Sequence, residues 1–248
     1  MQIANMAAFL GCGIATGMAA IGGGWGAGYT VTGSLRAMVR QPSMQPVLFR
    51  SMLINQALAT NPSIFGLIIS IVLLSKASSA LSAPDSLAQA SAFLAAGLSI
   101  GLGSFGSGLG CGLIGSEAVE AIGRSPKSQS RVTVMMLIGQ AWAQTPCIFA
   151  LVISLMLLFW ASGFNTLDAY QNIEKAGYLL GSGLCMGAGA IGPAIGISFV
   201  AAKVCRGIAD RPSAFQQIRN TFFVGAAVSE STAIYALVIC LLLLFGGA

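Results

Sequence analysis

Apolar residues run almost unbroken through six stretches, Ile3–Leu35, Val47–Ser75, Ser91–Ile122, Val132–Trp160, Ala176–Ile208 and Thr221–Phe245, with short polar segments between them. About 20 such residues let a helix cross a hydrocarbon core, and only helices or closed barrels satisfy their backbone there. The pattern predicts an all-α membrane fold of six transmembrane helices, with both termini on one side. No basic segment precedes the first run, which therefore reads as a span and not as a signal peptide. The first, third and fifth connections carry Arg36, Arg40, Arg50, Arg124, Lys127, Arg131, Lys203, Arg206, Arg211 and Arg219, while the other two carry only Lys76 and Lys175. The positive-inside rule then places the three basic connections on the cytoplasmic or equivalent side and both termini opposite.

The six stretches repeat in pairs. Arg40-Gln41-Pro42 aligns with Arg124-Ser125-Pro126 and Asp210-Arg211-Pro212, at spacings of 84 and 86 residues. Further along, Ile64–Ile69, Ile148–Ile153 and Ile234–Ile239 align in the same register, 24 residues separating Pro42 from Gly66, Pro126 from Ala150 and Pro212 from Ala236. A repeat of this kind is one supersecondary unit that stacks on its copies. The chain is thus expected to form three tandem helical hairpins, over 1–80, 81–166 and 167–248, all in the same orientation and not inverted.

The two helices of each hairpin differ in kind. Of the 32 glycines, nine lie between Gly11 and Gly33, eight between Gly97 and Gly115 and seven between Gly177 and Gly196. Glycine weakens a helix by about 0.8–1.0 kcal/mol relative to alanine, but in a membrane it lets backbones approach closely. The first helices are therefore expected to form a tight inner layer, and the Leu-, Ile-, Val- and Phe-rich second helices an outer layer against lipid. A phosphate-binding loop is the competing reading of the glycines, and it lacks a Walker lysine-serine pair.

Composition narrows the chemistry. The 248 residues are 56% hydrophobic and 8% charged, with mean hydropathy +0.84, against about 25% charged residues in a soluble domain. The formal charge of +5 comes from 12 cations spread thinly, which form no basic face for nucleic acid. Without a single histidine, Ser-His-Asp and Cys-His catalysis are excluded. Cys12, Cys111, Cys147, Cys185, Cys205 and Cys240 show no CxxC spacing and read as free packing thiols, not as a metal site.

Six of the seven acids lie at the edges: Glu117, Glu120 and Asp210 by the basic connections, and Asp85, Asp168 and Glu174 on the other side. Glu230 alone falls in mid-helix. Ionised carboxylates are costly in hydrocarbon by a few kcal/mol, so Glu230 is expected to be neutral or ion-paired there, which makes it a carrier candidate. Ser231, Thr232 and Tyr235 offer hydroxyls within about a turn, able to bind the acid or help coordinate a cation. The repeat positions corresponding to Glu230 are Thr60 and Gln144, polar but not ionisable, so one acid serves three hairpins. Pro62 and Pro146 predict kinks there, where the third hairpin has Thr232. Gln56 and Gln140 read as interhelical hydrogen-bonding residues.

The glycine-rich first helices, the Arg-Gln-Pro loop and the run Glu230-Ser231-Thr232-Ala233-Ile234-Tyr235-Ala236-Leu237-Val238-Ile239 resemble the proteolipid c subunit of rotary ATP synthases and ATPases, over essentially the whole chain as three fused hairpins. The resemblance implies a ring of such chains, with shorter c subunits as additional members, turning in lipid against a stator a subunit whose arginine unloads Glu230. It implies that Arg40, Gln41, Pro42, Arg124, Pro126, Arg211 and Pro212 grip the central stalk. It implies no cofactor and no catalytic residue, only a transported ion. One carrier per three hairpins lowers the number of ions moved per turn and favours hydrolysis-driven pumping.

Val228, Glu230, Ser231, Thr232 and Tyr235 match the second-helix part of sodium-binding c subunits. The first-helix glutamine of those proteins, fifteen residues before the loop proline, is replaced by Ala27, Cys111 and Ile197. Protons are accordingly expected as the cargo, and sodium only if Gln144 or a neighbouring chain completes the ligand set, Thr60 being a second such cross-hairpin candidate. The alternatives are a six-helix transporter or channel, which calls for polar groups converging from several helices, and a structural proteolipid in which Glu230 is silent.

Overall fold

Each basic connection is a proline-initiated reversal. In the computed structural model, which describes residues 3–79, 87–160 and 169–246, Pro42, Pro126 and Pro212 each open a single 3₁₀ turn. Proline drives the preceding residue out of the helical region, and Gln41, Ser125 and Arg211 take nearly identical conformations, φ −135°, −135° and −138° with ψ 74°, 82° and 80°. Their amides close the preceding helices onto Ala37, Ala121 and Gly207 at 2.9, 3.0 and 2.9 Å. One local chemistry thus turns the chain three times in the same way.

The helices feeding these turns are α1 (Ile3–Arg40), α4 (Leu87–Arg124) and α7 (Ala169–Asp210). The returning arms are α2 (Gln45–Ala59) with α3 (Asn61–Ser79), α5 (Gln129–Ala143) with α6 (Thr145–Trp160), and the unbroken α8 (Phe215–Gly246). The first two arms break at Thr60 and Gln144, as Pro62 and Pro146 require; α8 has no proline and does not break. Together these give six helices long and apolar enough to cross a membrane. The boundaries expected at 80/81 and 166/167, and the acids Asp85 and Asp168, lie outside the described residues.

The glycine-rich helices form the inner row, with α4 in the middle flanked by α1 and α7. A Cβ on Gly112 would overlap the Gly26 backbone, so only glycine permits this approach of α4 to α1. The outer arms sit over the seams, α2 and α3 over α1 and α4, α5 and α6 over α4 and α7, and α8 against α7. Their outward faces carry exposed Ile64, Leu67, Ile71, Val152, Phe159, Val238, Ile239 and Leu242, the apolar surface that lipid solvates. One polar fastening recurs in every hairpin: Ser70 Oγ donates to the Cys12 carbonyl (3.0 Å), Ser154 Oγ to Ala96 (2.9 Å) and Cys240 Sγ to Ser182 (3.2 Å). All six cysteines are free.

Candidate ion-carrier site

Glu230 lies at the midpoint of α8, half-buried where the third hairpin meets the second. Its Oε2 accepts a hydrogen bond from the indole N–H of Trp142, near the end of α5. The indole is held from the α8 side by Phe222 and Phe223, with ring centroids 5.8 and 5.7 Å away. Phe222 is itself fully buried. On the inner helix, Ile197 is fully buried in the same core cluster as Phe222 and Ala226.

The hydroxyls expected around the acid turn elsewhere. Ser231 Oγ donates to the Val228 carbonyl (2.7 Å) and Thr232 Oγ1 to that of Ser229 (2.9 Å), both closing on their own helix as hydroxyls in helices do. Tyr235 is 66% exposed and makes no hydrogen bond to Glu230 among the described residues. Val228, also 66% exposed, lies on the open surface of α8. The residue that fills the corresponding place beside Glu230 is Trp142, which stands in the second hairpin where Val228 stands in the third. The acid faces back along the row, so its partner is found one repeat earlier.

Gln144 and Thr60 do not join Glu230 either. Gln144 Nε2 donates to the Leu58 carbonyl (3.1 Å) and contacts Cys111 Sγ (3.6 Å), so its cross-hairpin role is directed at the first hairpin. Pro62 makes that carbonyl available, since it lacks the N–H that a helix would return to Leu58. Thr60 is exposed and donates to Ala57. Gln140 fulfils its expected interhelical role: Nε2 donates to Asn55 Oδ1 and, at 3.2 Å, to the Cys111 carbonyl. Asn55 in turn donates to Thr30 Oγ1, and Thr30, Asn55 and Gln140 are all fully buried. Gln56 forms no side-chain hydrogen bond among the described residues.

At the reversal end, Arg40, Arg124, Arg211 and Pro212 are exposed, as is Pro42, while Gln41 and Pro126 are partly covered. Glu120 pairs with Arg36 and Arg40 (3.5 and 3.9 Å), and Glu117 with Arg124 and Lys203 (3.8 and 3.9 Å), so each acid ties α4 to a neighbouring inner helix. Arg131 donates to the Pro212 carbonyl at 2.8 Å. Two residues of consequence, Trp142 and Asn55, escape a reading within hairpins. The signal for Trp142 is its place two residues before Gln144, the position that faces the following hairpin; for Asn55 it is a carboxamide inside an apolar helix.

Three tandem hairpins with one carboxylate at mid-span define a membrane proteolipid of the rotor type. The family of the ATP synthase C subunit matches three times, over residues 10–73, 94–157 and 180–243, and the chain belongs to that family. Relatives match about a third of the chain or less. The ATP synthase c subunit of Dehalococcoides mccartyi is 47% identical over 68 residues, 27% of this chain and 90% of the relative. The chloroplastic c subunit of Phaeodactylum tricornutum is 39% identical over 82 residues, 33% of this chain and 99% of the relative. That of Chloroflexus aurantiacus is 46% identical over 66 residues, 27% and 87%. The chain is a multi-pass integral membrane protein.

Proposed function

We propose that this chain is a sector of the rotor ring of an ATP synthase or ATPase and that Glu230 carries protons across the membrane. The observation that carries the reading is the placement of Glu230: among the described residues it is the one acid at mid-span, and it is half-buried between two hairpins. Loaded with a proton it is neutral and crosses the lipid-facing arc; beside a stator arginine its ionised form is favoured and the proton leaves. The buried Ile197, standing where sodium-binding relatives place glutamine, removes one oxygen that a sodium ion would use.

The edges of the row support assembly into a ring. Gly13, Gly17, Gly24 and Gly28 of α1 face open space, whereas their repeat counterparts Gly97, Gly101, Gly108 and Gly112 all abut α1. At the other end Gly192 is open, while its counterparts Gly22 and Gly106 abut the next inner helix. A second copy seated with its α7 on this α1 repeats the contacts already made inside the chain, the head-to-tail kind of interface that closes into rings. The stator a subunit then passes the outer arms, and the exposed reversals at Arg40, Arg124 and Arg211 meet the central stalk, on the cytoplasmic or equivalent side. In proteoliposomes containing the whole complex, Glu230→Gln is expected to abolish ATP-driven proton uptake while the ring still assembles. Undiminished uptake would refute the carrier role.

A further inference from the structure

We propose that Trp142 is the residue that restricts the Glu230 site to protons and fixes which carboxylate oxygen takes part in the exchange. The proposal rests on Glu230 being the carrier. An indole N–H is a donor only. Directed at Oε2, it presents the positive end of its dipole where a bound metal cation would need an oxygen, yet it leaves Oε1 open to a proton. It also keeps the ionised carboxylate hydrogen-bonded in a medium without water, where an unpaired charge is most costly. Its direction is set by the flanking Phe222 and Phe223 rings.

Donor and acid occur together and are absent together. At the junction between the first and second hairpins the position of Glu230 is held by Gln144 and that of Trp142 by Leu58, so neither the acid nor the indole is present. Among the described residues, no other charge bears on the site from the elements around it. Arg131 of α5, Glu174, Lys175, Lys203, Arg206 and Asp210 of α7 and Arg219 of α8 all lie within about two turns of their helix ends, and α6 carries no charged residue. Arg219 is eleven residues from Glu230 on the same helix, roughly 16 Å along the axis. Tyr235, exposed on α8, is the nearest titratable neighbour in sequence.

The test is carbodiimide labelling of Glu230 in the intact, membrane-reconstituted complex, with and without sodium chloride. Trp142→Phe keeps a ring between Phe222 and Phe223 and removes the donor. Benzothienylalanine at position 142, close to indole in size, removes only the N–H and serves if the phenylalanine variant does not assemble. A cation bound at the carboxylate shields it from the carbodiimide, so in the donor-less protein sodium chloride should slow Glu230 labelling severalfold. Wild-type labelling should be indifferent to sodium. Protection of the wild type by sodium would overturn the role of Trp142 together with the proton cargo, and indifference of the donor-less protein to sodium would overturn the role of Trp142 alone. Absence of any Glu230 labelling in the wild type would instead remove the carrier reading, and this proposal with it.

Discussion

The first two hairpins are joined by a chain of buried polar side chains, the Thr30 hydroxyl and the carboxamides of Asn55 and Gln140, with Gln144 reaching the Leu58 carbonyl alongside. The second and third meet differently: Gly139 and Ala226 stand at the positions that Asn55 and Gln140 hold in the first junction, and one indole-carboxylate bond stands where Gln144 meets Leu58. Both junctions pack one inner helix on the next, but Ala194 and Ser198 of α7 stand where Gly108 and Gly112 of α4 meet the α1 backbone. Their side chains divide two tasks that conflict at a single site. A carboxamide cannot ionise, so it holds a junction shut at every pH and every rotor angle. If Glu230 loads and unloads a proton, as proposed, its junction needs to be without such a fixture. Fusing the hairpins allows the two solutions to sit side by side in one chain.

This contrast can be broken most forcefully at its fixed end. Gln140→Leu keeps the bulk of the side chain but leaves the buried Asn55 Oδ1 without its donor, at a cost of about 1–3 kcal/mol. Thermal unfolding of the purified chain in detergent should register a clear loss, with Glu230 labelling unaffected. Gln144→Glu tests whether the first junction differs only in its carboxamide: about two carbodiimide adducts per chain in place of one are expected by mass spectrometry, because a protonated acid can still donate to Leu58. A single adduct would mean that the scaffold as well as the side chain has diverged. The smallest effect is expected at the reversal end, where Glu120→Gln loses pairs to largely exposed Arg36 and Arg40; such pairs contribute about 0.2–1 kcal/mol, so the unfolding temperature should barely move.

Most of the architecture is legible in the sequence because it is written locally and three times over. Apolar length sets the spans, Pro42, Pro126 and Pro212 set the reversals, and Pro62 and Pro146 set the breaks in the outer arms. Glu230 stands out because a carboxylate in hydrocarbon needs a reason. Its surroundings are less legible. Ser231 and Thr232 lie beside it in sequence and look like ligands, but a helical hydroxyl has a carbonyl of its own helix within closer reach. Trp142 is 88 residues away and passes for one more bulky residue of an outer arm. Local periodicity shows which face of a helix is apolar; it does not show which residue of another hairpin that face will meet.

The open glycine face of α1 has a counterpart only at the far end of the row, so the chain has a leading and a trailing side. Copies can follow one another around a circle but cannot meet front to front. In a rotor made of this chain alone, every carboxylate is therefore separated from the next by two uncharged steps, with the same sense throughout. With Glu230 as the proposed carrier, such a wheel would deliver its pulses of torque at even intervals, one for each whole molecule that passes a stator, and its gearing would be set by the number of chains and not by the number of hairpins.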